Sequence, residues 1–169
     1  DYPDEVSGLV LVDSQDLPAS SVSTPQPAPK PGGPSIPSFL ARIGLVRLLA
    51  GPLGSIENLP EGDKQAYTAF AVAPRSVQAF TDEGMGMSEG GARAKAVTSL
   101  GALPIIVLSR GKDLDPKHSA AQADLLKLST DSQQLVADQS GHHIMIDQPE
   151  TAVAAIVKMV VLVRQATQK

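Results

Sequence analysis

The residues of this chain able to move a proton in the neutral range are its three histidines, and one of them stands in a setting suited to catalysis. Ser140-Gly141-His142-His143-Ile144 follows a short strand-like run and leads into Asp147-Gln148-Pro149-Glu150 and a long apolar helix. A histidine directly after a glycine, on the loop between a last strand and a last helix, is a candidate general base. A base of this kind needs a carboxylate to fix its tautomer and steady its cation. The acidic loop Gly111-Lys112-Asp113, after another buried strand, offers one, and Asp115 lies two residues further on. Asp13 closes the first strand, where an acid is more often a turn residue. His143 is assigned packing or a substrate-side contact, because adjacent side chains do not both point at one nucleophile. His118, on a loop before a helix, reads as a solvated or capping residue.

A nucleophile is harder to place. With no cysteine there is no thiol, no thiolate metal site and no disulfide, so the redox compartment is not inferable. Gly86-Met87-Ser88-Glu89-Gly90 has the G-x-S-x-G spacing, and Ser88, Asp113 and His142 run in a plausible order. That motif works only where a strand turns sharply into a helix and thrusts the hydroxyl above a sheet. The residues before Ser88, from Ser76 to Glu83, read as helix and acidic loop instead. Ser88 is therefore expected to cap a following helix from an inter-helix loop. Three histidines without clustered carboxylate spacing make no metal site, and no dinucleotide or phosphate loop is visible, so no cofactor is expected.

The elements that must position these groups follow from the apolar pattern. Leu9 to Val12 is a continuous β-branched and apolar run, as in a strand buried on both faces of a parallel sheet. Leu17 to Pro37 is rich in Pro, Ser and Gly, lacks donors at each proline, and reads as an extended surface loop. From Ser35 to Leu100 the pattern is helical. One helix starts at Ser35-Ile36-Pro37, carries Phe39, Leu40, Ile43, Val46, Leu49 and Ala50 at spacings of three and four, and stops at Gly51-Pro52. Others are predicted at Glu61 to Ala71, Pro74 to Thr81 and Glu89 to Leu100. A helical insertion between two buried strands is expected to form a cap over the sheet. Leu103 to Leu108 is a second strand, Ser119 to Leu128 a helix, and Gln134 to Ala137 a third strand. In the last helix Asp147 and Glu150 suggest a capping box with Pro149 in the first turn, and Val153, Ile156, Val157, Val160 and Val163 form its expected buried stripe. The order strand, cap, strand, helix, strand, helix is α/β and implies parallel pairing.

Over essentially the whole chain this order, together with Tyr2-Pro3 to Asp13, Leu103 to Asp113, and Ser140-Gly141-His142 followed by Asp147-Gln148-Pro149-Glu150, resembles the C-terminal half of the α/β-hydrolase superfamily. The resemblance implies a hydrolase core at 1–14 and 100–169, with 15–99 as proline-rich loop and helical cap. It implies a Ser, Asp, His relay in that chain order, with His142 as the base and Asp113 as the acid. The family's spacing from glycine to acid is one residue longer than Gly111 to Asp113, which keeps Asp115 as a rival, and some hydrolases place the acid where Asp13 stands. The serine and the oxyanion hole would belong to an N-terminal half of the same protein, preceding Asp1; three strands are few for a doubly wound sheet, and the first has nothing before it to pair with. The expected activity is hydrolysis of a small-molecule ester or related acyl substrate by nucleophilic acyl transfer. The alternatives are a non-catalytic hydrolase-like binding module or fragment, and an epoxide or haloalkane hydrolase with an aspartate nucleophile in the other half.

Composition bounds these readings. A chain of 169 residues with 42% hydrophobic content suffices for one core. A net charge of -4, without a clustered Lys/Arg face, argues against a nucleic-acid partner. The most apolar segment, Ala152 to Val163, is too short to span a membrane and is interrupted by Lys158.

Overall fold

In the computed structural model, residues 5–14, 35–49 and 58–167 are described. They fall into two compact units, one formed by Asp1–Asp16 with Ala96–Lys169 and the other by Leu17–Lys95.

The first unit is built on three parallel strands whose spatial order is their chain order: β1 (Leu9–Val12), β2 (Ile105–Arg110) and β3 (Ser132–Ala137). Val10 pairs with Ile106 and Val12 with Leu108, while Leu108 pairs with Leu135 and Arg110 with Ala137. β2 is the central strand, and Ile105 through Leu108 are fully buried, as expected for a strand covered on both faces. β1 is only half-buried, since it has a hydrogen-bonded neighbour along one edge alone among the described residues.

Helices flank the sheet. After β2 comes α5 (Pro116–Leu126), and after β3 come the single turn α6 (Ile144–Asp147) and the long α7 (Pro149–Thr167). Successive strand residues point to opposite faces. Ile106 and Leu108 pack with Ala137, Ile144, Ala152, Ala155 and Met159 into one cluster beneath α7, with Val10, Val12 and Leu135 at its margin. Ser109 and Gln134 point the other way, toward Gln122 of α5. At about 25 cal/mol per Å2, each large aliphatic chain fully buried in such a cluster contributes about 1.5–3 kcal/mol.

The face that α7 buries is not the expected one. Val153, Ile156, Val157 and Val160 are 41–58% exposed, and the sheet is met by Ala152, Ala155 and Met159, with Leu162 and Val163 half-buried beside them. Small side chains let a helix approach a sheet closely. Gly8 shows how closely, since a β-carbon there would overlap the Met159 sulfur. Asp147 ends α6 and turns its carboxylate back toward the loop before it.

The second unit is helical: α1 (Ile36–Arg42), α2 (Leu45–Leu49), α3 (Glu61–Ala71) and α4 (Pro74–Lys95). Ser35 caps α1 by accepting from the Ser38 amide at 3.2 Å, with proline in the first turn. The single helix expected from Ser35 to Ala50 is broken at Gly44, whose φ of +79° suits glycine and stops α1. Phe39 and Ile43 of the expected stripe are exposed, whereas Ser38 and Ala41 are buried. The two helices expected between Pro74 and Leu100 are one, α4, which runs through Gly84, Gly86, Gly90 and Gly91 and ends at Lys95. Each glycine costs about 1 kcal/mol relative to alanine, a cost that a helix already nucleated absorbs more readily than a new start. The opening Tyr2-Pro3, most of the proline-rich stretch and the Gly51-Pro52 stop lie outside the described residues.

Candidate active site

Asp13 follows directly on β1, and the chain turns there through a left-handed conformation, φ +40°. That region disfavours side chains other than those of Asn and Asp, and costs on the order of 1 kcal/mol. The turn is held by the Asp13 amide, which donates to the Leu108 carbonyl at 2.7 Å. Its side chain is fully buried, at the carboxyl end of the sheet.

Four groups converge on that carboxylate. Nδ1 of His142 lies 2.6 Å from Oδ2, and Nε2 of His118 lies 2.8 Å from Oδ1. The Arg110 amide donates to Oδ1 at 3.2 Å, and the Arg110 guanidinium lies 3.8 Å from Oδ2. Burial alone would push the Asp13 carboxyl up. The hydrogen bonds from His142, from the Arg110 amide and from His118, with the attraction of the His118 ring, outweigh it and hold the group below its ordinary value.

An ionised carboxylate only accepts, so the proton of a neutral His142 sits on Nδ1 and that of His118 on Nε2. The lone pair of His142 is then on Nε2, which has no hydrogen-bond partner among the described residues, and the side chain is 46% exposed. His142 is thus oriented as a base, with its second nitrogen accessible.

The loop that carries His142 is fastened on both sides. The Gly111 amide donates to the carbonyls of Ala137 (2.8 Å) and Ser140 (3.2 Å), and the Lys112 amide to Ser140 (3.0 Å). The loop after β2 is thereby tied to the loop after β3. Gly111 must be glycine for this approach, since a β-carbon would overlap the backbone of Asp138. On the other side, Asp147 accepts from the Gly141 amide at 3.2 Å and from the buried Ser140 hydroxyl at 3.1 Å. Ile144, fully buried in the cluster under α7, anchors the start of α6.

The acids expected from the sequence lie elsewhere. Asp113, with φ +52°, is exposed in the loop after β2. Its Oδ2 stands 2.9 Å from where a β-carbon on Gly141 would be, so it lies over the histidine loop without a hydrogen bond to His142. Asp115 is the N-cap of α5, accepting from the Lys117 amide at 3.0 Å. The carboxylate that reaches His142 comes from the neighbouring strand β1. The His143 ring is tilted against that of His142, with centroids 5.4 Å apart. Ser88 lies inside α4, with no strand or turn before it.

His118 is the residue that the spacing argument missed, and a signal for it was present. Asp115-Pro116 is a strong helix start, and a helix beginning there places His118, Ala121, Gln122, Leu125 and Leu126 on one face. That face meets the sheet. Gln122 is buried and donates to the Ser14 carbonyl at 2.5 Å while its Oε1 faces the Ser109 hydroxyl at 3.4 Å. α5 is therefore tied to the segment just after β1, and His118, one turn earlier on the same face, reaches Asp13. Beside it a cleft of about 310 Å3 is lined by Arg110, Leu114, His118, Gln122, Gln134 and Asp138, among others.

No family model matches this chain, and no curated protein matches it. Among the described residues no group of histidine, cysteine and carboxylate side chains is arranged to hold a metal ion, and no helix is long and apolar enough to cross a membrane.

Proposed function

We propose that this chain is the acid- and histidine-bearing part of a serine-type α/β-hydrolase that cleaves a carboxylic ester or a related acyl substrate, with His142 as the base and Asp13 as the acid. The observation that carries the reading is the 2.6 Å contact between His142 Nδ1 and a buried, ionised Asp13 at the carboxyl end of a parallel sheet. Ligands and chemistry gather at that end of open α/β sheets.

In this reaction a serine hydroxyl attacks the acyl carbon and its proton passes to Nε2 of His142. The imidazolium, steadied by Asp13, then protonates the departing alcohol. Water, deprotonated by the same nitrogen, releases the acid and restores the serine. In this reading the serine and the oxyanion donors come from a further segment that extends the sheet beyond β1. Two features favour such a neighbour: the edge of β1 that lacks a hydrogen-bonded strand among the described residues, and the outward apolar row Val153, Ile156, Val157 and Val160 on α7. A strand with its helix would cover both.

The test is labelling of the complete gene product with a fluorophosphonate, which traps activated serines. The adduct is expected on a serine outside residues 1–169, and its formation is expected to be lost in His142→Ala. An adduct on Ser88 would place the nucleophile in α4 and overturn the division of labour proposed here. No adduct, with hydrolysis of an epoxide or alkyl halide, would point to an aspartate nucleophile. No adduct and no hydrolysis of any of these substrates would leave a hydrolase-like binding module.

A further inference from the structure

We infer that His118 is a positioning residue for the His142–Asp13 pair: it holds the far oxygen of the Asp13 carboxylate, so that the near oxygen faces His142. The inference deepens the hydrolase reading and rests on it for the kinetic consequence, but not for the behaviour of the pair itself.

The geometry divides the carboxylate cleanly. Oδ2 receives His142 and Oδ1 receives His118, at 2.6 and 2.8 Å. A base needs one carboxylate oxygen in line with its Nδ1 proton, and a carboxylate free to turn about its Cβ–Cγ bond does not provide that. Here Oδ1 is fixed by His118 and the Arg110 amide, from two different elements. The His118 side chain is only 12% exposed, so its hydrogen bond is poorly replaced by water. Its place is set by the Asp115 cap and by the Gln122 bond to Ser14, which leave α5 little freedom at this turn.

The charged and titratable groups that face the pair are Arg110 at the end of β2, His118 from α5, His143 beside the His142 ring, Asp113 over Gly141, and Asp147 beneath Gly141. Of these, only His118 and Arg110 contact Asp13. Without the His118 donor, Oδ1 keeps only the Arg110 amide, and the carboxylate turns more freely away from Nδ1 of His142.

The test combines the NMR resonance of the His142 Nδ1 proton in this chain with ester hydrolysis by the complete gene product, for wild type, His118→Phe and His118→Gln. Phenylalanine fills the space without a donor; the glutamine amide places a donor where Nε2 stands. His118→Phe is expected to move that resonance away from the low-field position of a proton held by a carboxylate, and kcat should fall roughly tenfold with KM unchanged. His118→Gln is expected to restore both. If phenylalanine is not accommodated, His118→Ala gives the same change. A His142 Nδ1 resonance unmoved by loss of the donor, or a glutamine variant that behaves like phenylalanine, would overturn the inference. The NMR arm decides this without turnover, so its failure is distinct from a failure of the hydrolase reading, which would show as absent hydrolysis with the change in resonance still present.

Discussion

Asp13 and His142 stand 129 residues apart in the chain and 2.6 Å apart in space. The contact exists because β1 and β3 flank β2, so that the ends of the first and last strands open on the same edge of the sheet. Everything that fastens the histidine loop to β2 also sets the distance to Asp13.

Replacing Asp13 by asparagine puts an amide donor among donors that now find an acceptor. The cost is expected to be about 3 kcal/mol in urea denaturation near neutrality. The pH dependence has a definite sign. Asp13 titrates below its ordinary value when folded, so its stabilisation is complete above the unfolded carboxyl value of about 4 and is lost as pH falls through the lower folded value. The gap between wild type and Asp13→Asn should therefore be smaller at pH 3 than at pH 5. An unchanged gap would contradict the assignment of Asp13 as a buried anion.

Gly111→Ala tests the link between the two loops. The added β-carbon meets the Asp138 backbone, which cannot swing aside as a side chain tip would. A loss of about 1–3 kcal/mol is expected in denaturant melts. Because the Gly111 and Lys112 amides hold Ser140, the chemical shifts of the His142 ring should change as well.

Asp147→Ala removes the side-chain acceptor for the Gly141 amide and one of two acceptors for the buried Ser140 hydroxyl, which keeps the Gly141 carbonyl at 2.9 Å. About 1–3 kcal/mol of stability should be lost. Turnover of an ester should fall at least roughly tenfold, since the base is no longer held in register.

Asp115→Ala separates a capping role from a catalytic one. Loss of the cap should cost about 1 kcal/mol in denaturation while leaving turnover at the wild-type level. A large loss of turnover at unchanged stability would restore Asp115 as an acid.

The elements that the sequence announced clearly are those with chemical punctuation. Pro60-Glu61 and the apolar spacing set the limits of α3, and Ser35-Ile36-Pro37 set the start of α1, both as expected. The buried core of β2 was legible from its unbroken apolar run, and the placement of His142 after Gly141 from its position between a strand and a helix. What was not legible depends on neighbours in space. The row of valines on α7 looks like a buried stripe by spacing alone, yet the close approach to the sheet selects the alanines instead. The hydrolase resemblance pointed to Asp113, after β2, whereas the carboxylate within hydrogen-bond reach of His142 follows β1, a strand distant in sequence. A buried partner such as His118 shows only after its helix is given the right starting residue.

The most direct measurement compares kcat for ester hydrolysis by the complete gene product in Asp13→Asn and Asp113→Asn. An acid that fixes the tautomer of the base is worth about 10^4-fold in a serine hydrolase. Asp13→Asn should lose turnover on that order while Asp113→Asn keeps it. The reverse pattern, with Asp113→Asn inactive and Asp13→Asn near wild type, would contradict the account.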